Sequence, residues 1–125
     1  MKKECFFCSI KPEKKIVDGQ LAFVIEDDFP VTEFHSLIIP KRHVVSYFDL
    51  SEQELLEINK LLKERKEQIL AKDESVTGFN VGVNVGADAG QSIFHVHVHL
   101  IPRRKGDVAE PCGGVRGVIP HKRNY

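Results

Sequence analysis

The sequence predicts an α+β domain, one main helix packed on one face of an antiparallel β-meander, and two observations carry that reading. Short apolar runs with strand-like patterning lie on either side of one long amphipathic segment, and the connections between neighbouring runs are short. Parallel strands need crossovers of about a dozen residues or more, so connections this short favour antiparallel pairing. At 125 residues the chain fits a single domain, expected over 1–125, with an irregular tail over about 102–125.

Element by element, Lys15-Ile16-Val17 and Leu21 to Glu26 flank Asp18-Gly19, a pair that closes hairpins. Pro30 ends the segment after Glu26-Asp27-Asp28-Phe29, because proline cannot donate to a ladder and extends the residue before it. Ser36 to Ile39 reads as a strand stopped by Pro40. Ser51 followed by Glu54 is a capping-box signature, and Leu55, Ile58, Leu62 and Ile69 recur at helical spacing, which predicts a helix over about 51–72. Gly78 to Val85 alternates like a strand, Gly86 to Ser92 is a glycine-bearing loop, and Phe94 to Ile101 is a strand ended by Pro102.

Composition narrows the function classes. The 42% hydrophobic and 29% charged residues are globular values, so folding needs no disulfides. Eighteen Lys plus Arg cancel eighteen Asp plus Glu, which removes the basic field expected of a nucleic-acid or anionic-membrane binder and makes any phosphate recognition local. Cys5 to Ile10 is too short for a secretory core and no run of ~18 apolar residues occurs, so a soluble cytoplasmic protein is expected. With three cysteines and no export signal, the close pair Cys5/Cys8 reads as a metal or redox site, not as part of a disulfide framework.

His95, His97 and His99 alternate with Val96, Val98 and Leu100, which in a strand directs three imidazoles to one face. Two chemistries fit: a metal site, or a nucleophilic site in which one neutral ring attacks and the others hold the arrangement around it. Alternate residues stand ~6.7 Å apart, which disfavours one ion shared by the outer pair. Upstream, Asn84, Gly86, Gly90, Gln91 and Ser92 supply small residues, hydroxyl and amide donors and exposed backbone N–H groups, the elements of an anion-binding concavity. The loop therefore favours the nucleophilic reading.

Gly90-Gln91-Ser92-Ile93-Phe94-His95-Val96-His97-Val98-His99-Leu100 resembles the histidine triad of the HIT superfamily of nucleotide hydrolases and transferases. Phe34-His35-Ser36-Leu37-Ile38-Ile39-Pro40-Lys41-Arg42-His43 is similar to that family's second block, so the resemblance covers about residues 5–103. It implies His97 as the nucleophile that takes up a nucleoside monophosphoryl group, His99 as a contact to the phosphate oxygens and His35 as support for the triad's hydrogen bonds. It also implies Asn84, Gly90, Gln91 and Ser92 as phosphate-binding residues and Asp27 as acceptor of the ribose hydroxyls. Neutral imidazole, with its ordinary pKa of ~6.5, suits such an attack near neutrality.

By the same resemblance, Cys5, Cys8, His43 and His95 would hold a structural zinc, a closed Cys2His2 set. A homodimer would form through the helix at 51–72 and the strand at 78–85, joining two sheets into one. A purine nucleotide is the expected substrate, a dinucleoside polyphosphate or adenosine phosphoramidate, because Val96 stands where the related uridylyltransferases carry proline. Phe7, Phe23 and Ile25 are candidates for the base pocket. Phe34 departs from the family pattern, in which a small residue commonly precedes the histidine. The alternatives are a nucleotide-binding or interaction protein with incidental catalysis, and a hydrolase using zinc at the triad.

Overall fold

The described residues form five strands and one long helix. The strands are Val17–Asp18 (β1), Ala22–Glu26 (β2), Ser36–Pro40 (β3), Val76–Gly82 (β4) and Val98–Arg104 (β5), and the helix is Glu52–Lys72 (α1). This computed structural model describes residues 5–125, so the first four positions of the expected 1–125 domain lie outside the described residues.

All pairings are antiparallel, in the order β1-β2-β3-β5-β4. The first three strands run as a meander. The chain then crosses one face of the sheet through α1, about 30 Å long, enters β4 at the outer edge and returns in β5 between β4 and β3. Side chains alternate faces along each strand. Ala22, Val24, Ile38, Val98 and Leu100 pack toward Ile58, Leu61 and Ile69 of α1, while Phe23, Ile25, Leu37 and Ile39 form a smaller cluster with Phe7 on the opposite face. Leu37 pairs with His99, which places that histidine on the face away from the helix.

The capping box is formed: Glu54 N–H donates to Ser51 Oγ at 3.1 Å and Ser51 N–H to Glu54 Oε1 at 2.8 Å. Arg42 grips the same carboxylate with Nη2 at 2.7 Å and Nε at 3.0 Å, which ties the segment before His43 to the start of the helix. That fork holds the Glu54 carboxyl at about 2, well below the usual carboxylate range.

All five strands depart from their predicted limits. β1 is Val17–Asp18 and not Lys15 to Val17, and β2 starts at Ala22 and not Leu21. β3 takes in Pro40, the residue expected to stop it; the Pro40 carbonyl faces His95 Nε2 and not β2, so its missing N–H costs no ladder bond. Residues 94–97 are outside the ladder because Val96 N–H is taken by Val44 O, at 2.7 Å, so β5 begins only at Val98. It then runs through Pro102 to Arg104. Pro102 is tolerated because its carbonyl accepts from Thr32 Oγ1, at 2.7 Å, on the side where β3 has already ended; its missing N–H faces the same way and costs no ladder bond. β4 starts earlier than expected, at Val76, and stops at Gly82, whose partner His99 is near the start of β5. Beyond β5 the chain is irregular apart from short 3-10 turns at Gly114–Val118 and Pro120–Lys122. No helix among the described residues is long and apolar enough to cross a membrane.

Candidate active site and metal centre

The triad histidines occupy three different environments, and the partner of each ring decides where its proton sits. His95 is fully buried, and its Nε2 lies 2.8 Å from Pro40 O. A carbonyl only accepts, so Nε2 carries the proton and Nδ1 is a bare lone pair. His97 directs Nδ1 at the carbonyl of His95, 2.9 Å away, so its proton is on Nδ1 and Nε2 is bare. For His99 the order is set through His35. Val31 N–H donates to His35 Nδ1 at 3.1 Å, which puts the His35 proton on Nε2, and that proton goes to His99 Nδ1 at 2.9 Å. His99 therefore presents Nε2–H as a donor. The His97 and His99 rings meet edge to face with centroids 5.2 Å apart.

Both rings line a cavity of about 400 Å³, together with Asp27, Asn84, Gly90 and Ser92. Phe7, Ile25 and Leu37 supply its apolar wall, and the exposed Phe6 and Phe29 stand among its lining residues. Asp27 Oδ1 accepts from Phe29 N–H at 2.9 Å while Oδ2 lies 3.5 Å from His35 Nε2. The loop after β4 turns through Gly86 and Gly90, both at positive φ (91° and 96°), where a side chain would strain the backbone.

At the other end of the triad, Cys5 Sγ lies 3.4 Å from His95 Nδ1, and Cys8 Sγ lies 3.2 Å from His43 Nδ1 and 3.5 Å from His95 Nδ1. One donor atom from each of the four residues falls within 4.8 Å of all the others. A tetrahedral zinc with ordinary bond lengths separates its sulfur and nitrogen ligands by about 3.6 Å, so the donor set fits. The Pro40 carbonyl completes the fit by keeping His95 Nδ1 unprotonated, the outer-shell contact that metal-bound histidines use. Asp27, His35 and His99 form a second close group. Its geometry is that of a hydrogen-bond chain: His35 Nδ1 accepts from a backbone N–H, so Nε2 must keep its proton and has no lone pair for a metal.

The family model described as HIT domain matches residues 9–106. The chain belongs to the HIT family. A HIT-like protein of Mycoplasma pneumoniae is 36% identical over 103 residues, covering 79% of this chain and 71% of that protein. The asymmetrical bis(5'-nucleosyl)-tetraphosphatase of Schizosaccharomyces pombe is 40% identical over 81 residues, 65% of this chain and 44% of that one. Among solved structures, a HIT family protein from Bacillus anthracis superposes with TM-score 0.76 at 32% identity, covering 83% of this chain and 76% of the other. A zinc-bound histidine triad family protein from Mycobacterium smegmatis gives TM-score 0.78 at 29% identity, covering 88% and 82%.

Within this HIT domain, the residues singled out from sequence fall in two groups. His35, His97, His99, Asp27, Asn84, Gly90 and Ser92 gather around the cavity or the chain that supports it, and Cys5, Cys8, His43 and His95 gather beside it. Gln91 is placed differently. Its side chain is buried and spent on backbone, with Oε1 accepting from Gly86 N–H at 2.9 Å and Nε2 donating to Val45 O at 2.9 Å and Ile93 O at 3.3 Å. Of the three base-pocket candidates, Phe7 and Ile25 line the cavity, whereas Phe23 packs in the cluster behind it with Lys15 Nζ 4.5 Å from its ring centroid.

Phe34 adopts φ 73°, the left-handed region that a side chain rarely enters. The strain arises at the Cβ, so only glycine at this position would remove it. Burial lowers the pKa of His35 and of His95, and it brings His99 to about 4, helped by the neighbouring His97 and His35. At neutral pH His99 is an uncharged hydrogen-bond donor. Sequence reasoning missed Phe6 and Phe29, whose only signal was an exposed aromatic beside Phe7 and beside Pro30.

Proposed function

We propose that this chain is a nucleotide hydrolase that passes a nucleoside monophosphoryl group from a phosphoanhydride or phosphoramidate to His97 and then to water. The observation that carries the reading is the hydrogen bond from His97 Nδ1–H to its own chain's carbonyl, which leaves a bare Nε2 on a residue that lines the cavity. In the first step Nε2 forms a bond to phosphorus as the bond to the leaving oxygen or nitrogen breaks. The proton held on Nδ1 stays with the His95 carbonyl, which stabilises the charge that develops on the ring. Water then attacks phosphorus as the bond to Nε2 breaks, losing a proton to solvent in exchange for the one the leaving group takes up; the nucleoside monophosphate departs and His97 returns to its starting state.

His99 Nε2–H, Ser92 and the glycine loop offer donors to the phosphoryl oxygens, where negative charge builds. Asn84 and Gly90 belong to that phosphate site, and Gln91 serves it by bracing the loop. Asp27 would accept the ribose hydroxyls, with the base against Phe7 and Ile25. A purine nucleotide fits this reading, a dinucleoside polyphosphate or adenosine phosphoramidate, supported by the similarity to the tetraphosphatase of fission yeast. Cys5, Cys8, His43 and His95 would hold a structural zinc, which when bound fixes the segment that carries the His95 carbonyl. The cytoplasm is the compartment this reading expects, and the zero net charge supports a small-molecule substrate over nucleic acid. A homodimer would pair α1 and the open edge of β4 with their copies.

Quenching the protein during turnover of diadenosine polyphosphates or adenosine phosphoramidate should trap a nucleotidyl adduct on His97 by mass spectrometry. His97→Ala should lose turnover while nucleotide binding persists. Near-normal turnover in a folded His97→Ala protein would overturn the assignment.

A further inference from the structure

Arg65 is fully buried on α1, in the row that continues from Glu54 at the capped end through Ile58 and Leu61 to Ile69. Sequestering a guanidinium there is expensive, and an apolar side chain would fill the row without that cost. Its bonds show where the cost is spent. Nε donates to Ser36 Oγ at 2.9 Å, Nη2 to Glu26 Oε2 at 3.0 Å and Nη1 to Gln68 Oε1 at 3.2 Å. Glu26 and Ser36 are register partners across β2 and β3, and each is the immediate neighbour of a residue of the opposite face: Asp27 and His35.

The bond to Ser36 reaches further. Ser36 Oγ accepts from Arg65 and donates to Phe34 O at 2.7 Å, so it fixes the carbonyl of the left-handed residue that leads into His35. Asp27 N–H in turn donates to His35 O at 2.9 Å. One planar fork thus clamps both strand ends at the point where their next side chains form the Asp27–His35–His99 chain.

We propose that Arg65 is a positioning residue: from the far side of the sheet it holds His35 and Asp27 in the register that keeps His35 Nε2–H on His99. The effect on turnover rests on the function proposed above; the effect on the hydrogen bond does not.

The test is Arg65→Met, which keeps the length and apolar stem, read by imidazole nitrogen–proton correlation spectra and by steady-state kinetics on the preferred adenosine nucleotide. The wild type should show His35 protonated on Nε2 in a proton-protected bond to His99. In the folded variant that protected signal should be lost, and kcat should fall by about tenfold to a hundredfold with KM changing less, as small misplacements of catalytic groups do. A folded variant with the protected signal intact overturns the proposal, even if its melting temperature has dropped. Should Arg65→Met fail to fold, Ser36→Ala removes only the hydroxyl in the relay and carries the same expectation, with an intact His35–His99 signal again overturning it. If the wild type turns over no nucleotide, the functional reading fails while the spectra still decide the positioning role.

Discussion

Gln91→Ala separates two roles that sequence and structure assign differently. By resemblance this residue grips phosphate, yet its amide is buried in three hydrogen bonds to Gly86, Val45 and Ile93. Each such bond contributes about 1 kcal/mol net, and water can reach the exposed Gly86 and Val45, so truncation should cost roughly 2 kcal/mol. For a chain of this length the unfolding entropy is about 0.26 kcal/mol/K, which converts that loss to ~8 °C in Tm. Thermal melts and urea titrations at fixed metal and protein concentration would measure it. Gln91→Glu is the sharper control: it keeps an oxygen for Gly86 N–H but sets a carboxylate oxygen against two carbonyls, so it should be less stable than the alanine variant. If Gln91→Ala melts like the wild type while nucleotide affinity falls, the side chain contacts phosphate and the bracing role is wrong.

Purified protein should contain about one zinc per chain, and Cys5→Ser should lower both zinc content and Tm; metal-free protein with unchanged melting would refute the structural ion. Acid should destabilise the fold through His99 and His35, whose folded pKa values lie below the ordinary 6.5. Their contribution is fully present above pH 6.5 and is lost as pH falls from there toward the His99 value of about 4, where the unfolded chain binds more protons. Allowing for the partial exposure of His99, its share is about 1–3 kcal/mol, and His99→Asn should flatten the stability profile over that window. Sedimentation at micromolar concentration should give twice the 14.2 kDa chain mass, and a strict monomer would contradict the dimer.

The helix was legible because capping and periodicity agree: Ser51, Glu54, Ile58 and Ile69 behave as their spacing implies. Arg65 was not, since an arginine in a helix normally reads as surface and two of the three partners that make its burial tolerable, Glu26 and Ser36, are remote in sequence. The hairpin followed from a local turn signal and β3 from its apolar run, although β3 continues through Pro40, which was expected to stop it. The placement of β5 between β3 and β4 did not, because pairing order depends on how α1 crosses the sheet, which no local pattern encodes. Pro102 misled for a related reason: whether a missing N–H matters depends on which neighbour faces it. At the site, spacing singled out Cys5 and Cys8 as a metal or redox pair, and it was the family resemblance that added His43 and His95, which the fold brings beside them, while the inward turn of Gln91 depended on backbone acceptors at Val45 and Ile93.

A regular strand would have made the three triad histidines equivalent, each on one face and each ~6.7 Å from the next. Their division of labour comes from breaking that regularity. Val96 N–H leaves the sheet for Val44 O, His95 turns inward to the thiols, and its freed carbonyl becomes the acceptor for His97. Of the three, only His99 remains in the ladder, paired with Leu37, and His35 fixes it in the opposite tautomer to His97. If His97 attacks as proposed, its ring would need no carboxylate to orient it, since a neutral carbonyl accepts from Nδ1–H without adding negative charge beside an incoming phosphate. For the anionic substrate proposed above that arrangement would matter: a carboxylate at the His95 carbonyl position would repel an incoming phosphate, whereas Asp27 accepts from Phe29 N–H and faces His35.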